Sequence, residues 1–207
     1  MKHVIAALLL FLALPAPSSA SAFLDPARAI ALMQAGGLNL YMRHAITDRA
    51  QQDTGRRGDR QGQRNLDERG KAQASALGKA FRTLNIPLSS VATSEVFRAH
   101  DTAMLAFGAM PIVVVDALIA DDYTPRDPAA DAVMARQLLA RLPPSGNAMF
   151  VGHIIPFGMI MGTSFAQAAF PEGSIALLRP GSRPELIGIV TAEAVIQAAG
   201  MATPWAR

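Results

Sequence analysis

Two arginines and two histidines carry most of the chemistry this sequence can offer. Arg43 and His44 stand together after an apolar run, Arg98 lies four residues past Ser94, and His153 follows the run 148–152. A guanidinium presents a planar fork of N–H donors that matches the oxygens of a phosphate. An imidazole can change protonation state near neutral pH. If these four side chains converge, they form an anion site whose natural guest is a tetrahedral phosphoryl group.

Convergence requires elements that bring these residues to one edge of a sheet. Residues 38–42 read as a strand delivering Arg43 and His44, and residues 148–152 as a strand ending at His153. Residues 90–93 form a third, followed by a helix capped by Ser94, carrying Arg98 in its first turn and reaching about Phe107. In open α/β sheets the ligand crevice lies beyond the carboxyl ends of the strands, and a helix N-terminus there adds positive potential. Asp25-Pro26 opens a helix over 27–34, which Gly36-Gly37 stops. Asn65 or Asp67 caps another, running to about Leu84 with Leu77, Ala80, Phe81 and Leu84 on its buried face. Residues 112–116 are apolar and β-branched, hence a buried strand. Asp127-Pro128 starts a helix with the stripe Ala135, Leu138, Leu139 and Leu142, halted by Pro143-Pro144. After His153 comes an irregular segment rich in Gly and Met, with Met159 and Met161 as core packing, and residues 173–179 and 185–191 form a closing hairpin. Strands alternating with helices predict a three-layer α/β/α sandwich with a largely parallel central sheet. The polar, aperiodic stretches 45–64 and 120–126 are loops placed to shape the entrance to the site.

Composition narrows the chemistry further. The chain has 207 residues, 51% of them apolar, and no cysteine, which excludes a thiol nucleophile, a disulfide framework and Cys-ligated metal. Without Lys2 the formal charge falls from +3 to +2, and the basic residues of 49–71 are interleaved with Asp53, Asp59, Asp67 and Glu68 with no aromatic for base stacking, so no nucleic-acid partner is expected. Neither a G-x-S-x-G elbow nor a G-x-x-x-x-G-K-[ST] loop occurs. Three histidines remain beyond residue 22, without ligand spacing, so no metal site is expected. Lys2 and His3 precede an apolar run of 11 residues and a small-residue end at Ala20-Ser21-Ala22, which reads as a cleavable signal peptide over 1–22. That run is shorter than the roughly 20 residues a membrane span needs. The expected product is a single domain over 23–207, periplasmic or secreted, with no stable membrane insertion and no signal for oligomeric state.

Four segments resemble one family. Residues 40–45, Leu-Tyr-Met-Arg-His-Ala, are similar to the Arg-His-Gly signature of the histidine phosphatase superfamily, also called phosphoglycerate-mutase-like. Residues 65–74, which include Gly70, Gln73 and Ala74, resemble its L-[ST]-x-x-G-x-x-Q-A segment. Residues 94–103 resemble its S-x-x-x-R-A-x-x-T-A helix, and Phe150-Val151-Gly152-His153 its V-G-H element; the four keep the family order over about 38–180. The resemblance implies a phosphoglycerate-mutase-like fold, a small phosphorylated substrate, no cofactor, and covalent phosphoryl transfer. His44 would become phosphohistidine, Arg43 and Arg98 would hold the equatorial oxygens, and His153 would complete the pocket. Two guanidiniums beside His44 would keep its imidazole neutral and nucleophilic. The family acid comes from the loop after the third strand, here Asp121 by spacing, with Asp122 beside it and Glu95 as the fallback. Arg64, just before a helix, is a candidate for substrate phosphate.

Three departures shape the expectation. Ala45 replaces glycine, Ile154-Ile155-Pro156 makes one side of the pocket apolar, and the loop 45–64 is not of the mutase type. An exported phosphatase acting on phosphomonoesters fits best. The alternatives are a non-catalytic module retaining a phosphorylated ligand, and a phosphotransferase or mutase.

Overall fold

The computed structural model describes residues 23–205, so the expected signal peptide, residues 1–22, lies outside the described residues. Among the described residues, twelve α-helices and strands follow one another: α1 Pro26–Ala35, β1 Asn39–Arg43, α2 Glu68–Thr83, β2 Leu88–Thr93, α3 Phe97–Phe107, β3 Ile112–Val114, α4 Pro128–Leu139, β4 Asn147–Gly152, α5 Ile154–Met161, β5 Ile175–Arg179, β6 Glu185–Val190 and α6 Ala192–Ala198. The strands form one sheet in the order β3-β2-β4-β1-β5-β6. β3, β2, β4 and β1 run parallel, while β5 and β6 add an antiparallel hairpin beside β1.

Local chemistry accounts for most boundaries. Asp25, Asp67 and Asp127 each accept a hydrogen bond from an amide of the helix they precede, and Pro26 and Pro128 occupy first positions where a missing N–H costs nothing. The central strands are buried on both faces, so their apolar residues divide by parity. Leu40, Met42, Met149, Val151, Ile175 and Leu177 pack with residues of α1, α2, α3 and α6. Tyr41, Ala148, Phe150, Ala176 and Leu178 face α4 and α5. Helices therefore cover both sides of the sheet, as the alternating pattern predicts. Among the described residues no helix is long and apolar enough to cross a membrane.

Four expectations are corrected. β3 is a three-residue edge strand with Val113 and Val114 exposed, not a buried one, because only β2 pairs with it. Leu142 is 73% exposed and lies beyond the end of α4. Ser94 does not cap α3, which begins three residues later with Val96 at the N-cap. The segment after His153 is helical: Pro156 falls in the first turn of α5, where its ring is tolerated, and Gly162 closes the helix in the left-handed conformation.

Candidate active site

Arg43, His44, Arg64, Arg98, Asp121, Asp122 and His153 line one cavity of about 180 Å3 at the carboxyl ends of β1, β2 and β4. Of the eight site residues expected from sequence, only Glu95 is not among those lining it. Its carboxylate instead holds the Arg57 guanidinium, with Oε1 at 2.5 Å from Nε and Oε2 at 2.7 Å from Nη2. Asp53, Gln167, Ile154 and Ile155 complete the lining; the apolar side at Ile154 and Ile155 is the one the sequence predicts, whereas Asp53 and Gln167 were missed.

His44 ends the extended segment of β1 and is 2% exposed. Its Nδ1 lies 2.9 Å from the Ala45 carbonyl oxygen, which can only accept, so Nδ1 carries the proton and Nε2 keeps its lone pair. Burial, then Arg98 and Arg43, hold this imidazole well below its ordinary pKa, so it is neutral at physiological pH. The chain just after it is clamped from two helices. Thr102 Oγ1 accepts from the Ala45 amide at 2.9 Å and donates to the Arg98 carbonyl at 2.7 Å. Gln73 Oε1 accepts from the Ile46 amide at 3.2 Å. Gly70 permits the approach, since a Cβ there would sit 1.9 Å from the Ile46 carbonyl oxygen. The G-x-x-Q-A and R-A-x-x-T-A patterns thus act as braces for His44 as well as supplying Arg98.

His153 is positioned from β1. The Tyr41 hydroxyl, on a fully buried ring, accepts from the His153 amide at 3.0 Å and donates to its carbonyl at 3.1 Å. Gly152 makes room, because a Cβ would lie 2.2 Å from that hydroxyl. His153 Nε2 is 3.0 Å from Ser94 Oγ, which also accepts from the Val96 amide at 3.2 Å. The Ser94 hydroxyl can give its hydrogen to Nε2, and in that tautomer the ring proton sits on Nδ1. The two imidazoles face each other with centroids 5.5 Å apart. Burial, then Arg98, His44 and Arg43, also hold His153 well below its ordinary pKa.

The Arg43 and Arg98 guanidiniums are held through their terminal nitrogens, with Nε left unpaired. Arg43 Nη1 donates to the Phe170 carbonyl at 2.6 Å, and Glu172 lies 3.9 Å from Nη2. Burial lowers the Arg43 pKa to about 10, opposed by Glu172, which leaves it charged. Arg98 Nη1 donates to Asp53 Oδ1 at 2.9 Å. Asp53 Oδ1 also accepts from the Tyr123 hydroxyl at 2.7 Å and the Arg64 amide at 2.9 Å. Burial raises the Asp53 pKa, but these donors and Arg98 outweigh it, and the net shift is downward. Asp53 sits in an aperiodic loop, and no local signal distinguishes it from the other acids there.

Among the described residues, the buried side-chain polar atoms without a hydrogen-bond partner are Nε of Arg43, Arg64 and Arg98, Nδ1 of His153 and Oγ of Ser174. Four of the five belong to the lining of this cavity, so the cost of leaving them unpaired is concentrated where an oxyanion would relieve it. α3 contributes less than expected, because Ser94 and Gln63 Oε1 already take the Val96 and Phe97 amides. The helix end that does face the cavity is that of α5, whose first residues Ile154 and Ile155 line it and whose first-turn amides have no intrahelical acceptor.

The carboxyl groups lie at the mouth. Partial burial raises the Asp122 pKa, opposed by Arg98 and reinforced by Asp53 and Asp121. It is a candidate to retain a proton beside the anion site.

The model of the Histidine phosphatase superfamily (branch 1) matches residues 40–123, a span that contains Arg43, His44, Arg98 and both mouth aspartates. No curated protein matches the chain in sequence. Solved structures share its fold. The protein histidine phosphatase SixA complexed with tungstate is 14% identical, with TM-score 0.56, over 75% of this chain and 97% of that one. The mycobacterial glucosyl-3-phosphoglycerate phosphatase with VO3 is 16% identical, with TM-score 0.54, over 74% and 98%. The phosphoserine phosphatase of Entamoeba histolytica in complex with phosphoserine is 12% identical, with TM-score 0.53, over 76% and 98%. The family match over residues 40–123 and the shared fold both agree with the convergence of arginines and histidines at the strand ends.

Proposed function

We propose that this protein is an exported phosphatase that hydrolyses phosphomonoesters through a phosphohistidine on His44. The observation that carries this reading is the set of unpartnered donors on Arg43, Arg64, Arg98 and His153 around a neutral His44 whose Nε2 is free to attack. In the first step Nε2 forms a bond to phosphorus while the bond from phosphorus to the ester oxygen breaks. The leaving alkoxide takes the proton of the mouth carboxyl, Asp122 by its raised pKa or Asp121 beside it. In the second step that carboxylate accepts a proton from water as its oxygen attacks phosphorus. The P–N bond breaks, inorganic phosphate departs, and His44 returns to its neutral form. Charge in the transition state spreads over the equatorial oxygens, where the guanidinium N–H groups, the His153 Nδ1–H and the first amides of α5 would meet it. Losing one such donor typically costs about 100- to 1000-fold in rate.

The similar structures with tungstate, VO3 and phosphoserine support a tetrahedral or oxyanion guest for this fold. His44→Ala is expected to abolish both turnover of an aryl phosphate and acid-labile phosphate on the protein; activity near wild type would refute the assignment. Export rests on the sequence pattern of residues 1–22. N-terminal sequencing of the released protein should find Phe23 first, and retention of the leader would refute cleavage.

A further inference from the structure

The anion cavity does not end at its phosphate donors. Ile154 and Ile155 form a wall common to it and to an adjoining groove of about 390 Å3, lined further by Met159, Thr163, Ser164 and Phe165. The groove is built rather than incidental. Gly162 caps α5, the Thr163 amide donates to the Gly158 carbonyl at 2.9 Å, and the Phe165 ring stacks on the buried Phe157 with centroids 5.0 Å apart. Arg136, from α4, donates to the carbonyls of Met159 and Ile160 at 2.9 and 2.8 Å, which fixes the opposite end of α5. The wall at Ile155 is 55% exposed, an apolar surface left facing solvent beside a cationic cavity.

We infer that this groove receives the leaving group of the substrate, and that the substrate is a phosphomonoester of an apolar alcohol. This rests on the proposed phosphatase reading, because the groove gains meaning only as the continuation of a phosphoryl site. The occupant follows from continuity and chemistry. A phosphoryl group bound among Arg43, Arg98 and His153 directs its ester oxygen outward, and the residues shared by the two spaces are both isoleucines. A leaving group lined by Ile154, Ile155, Met159 and Phe165 loses water contact without needing hydrogen-bond partners, whereas a polyhydroxylated one would leave its hydroxyls unpaired there. Thr163 and Ser164 supply the polar groups of the groove.

The test uses n-alkylphosphonates, which cannot be hydrolysed, from methyl to hexyl, with binding to the whole protein measured by calorimetry beside inorganic phosphate. Each added methylene is expected to tighten binding about three- to fourfold until the groove is filled. The ratio of hexyl to methyl affinity should fall at least tenfold in Phe165→Ala and in Ile155→Asn; the second changes a half-exposed position and keeps the test available if the first misfolds. Equal affinity for methyl- and hexylphosphonate would overturn the inference and leave the phosphoryl site standing. A chain-length dependence unchanged in both variants would overturn the groove as its cause. Failure to bind inorganic phosphate or any phosphonate would refute the phosphatase reading itself, and this inference with it.

Discussion

Acidification should destabilise this protein through two imidazoles that the fold keeps neutral. His44 and His153 are 2% and 3% exposed, and burial followed by Arg98 holds both well below the ordinary value of 6.5. Below that value the unfolded chain takes up protons that the folded one refuses, so the free energy of unfolding falls as pH falls. Each group contributes about 1.4 kcal/mol per pH unit below its unfolded pKa, so the pair costs up to about 3 kcal/mol between pH of about 7.5 and about 5.5. That is a large part of the roughly 5–15 kcal/mol by which domains are stable. Urea unfolding across this window reads the effect, in buffer free of phosphate and sulfate, because an anion in the cavity would favour the charged imidazoles. The comparator is the double variant His44→Asn with His153→Asn, neutral throughout and sharing every carboxylate with the wild type. The difference in pH slope isolates the two histidines. Identical slopes would mean that the imidazoles are hydrated or charged in the fold, and the argument for a neutral nucleophile would fall with them.

Two further outcomes follow from the same geometry. Tyr41→Phe removes the hydroxyl that bonds both the amide and the carbonyl of His153; it should cost about 1–3 kcal/mol in denaturation and lower kcat more than it raises KM, and unchanged kcat would show that β4 alone positions His153. Asp122→Asn should slow hydrolysis of alkyl phosphates at least about 100-fold while sparing activated aryl phosphates, and should remove the decline of alkyl phosphate hydrolysis on the alkaline side, where the raised carboxyl loses its proton. The same pattern in Asp121→Asn, with Asp122→Asn silent, would move the acid role to Asp121.

The fold and the heart of the site were legible because they depend on short-range patterns. The segments that end at Arg43, Thr93 and Gly152 are strands of one parallel sheet, the first and last of them buried on both faces, and parallel strands fed by helices leave their carboxyl ends at one edge. Residues delivered there meet whatever lies between them in sequence, which is how Arg43, His44, Arg98 and His153 came to share a cavity. α5 was not legible: Ile-Ile-Pro-Phe-Gly-Met-Ile-Met is apolar throughout and contains Pro and Gly, so it shows no helical periodicity, and its helix is stabilised by packing Phe157 and Ile160 against the sheet and α4.

The sequence by itself determined the helix starts at Asp25 and Asp127, the strands leading to Arg43, Thr93 and Gly152 and the identity of the cationic residues, since each is decided by neighbours within a few positions. Only the tertiary structure decided that Asp53 ties Arg98 across 45 residues, that Glu95 is claimed by Arg57 across 38, and that Tyr41 holds His153 across 112. The reason is physical. A buried charge or hydroxyl takes the partner that folding brings within about 3 Å, and that partner is set by sheet order and loop path, which local spacing does not encode.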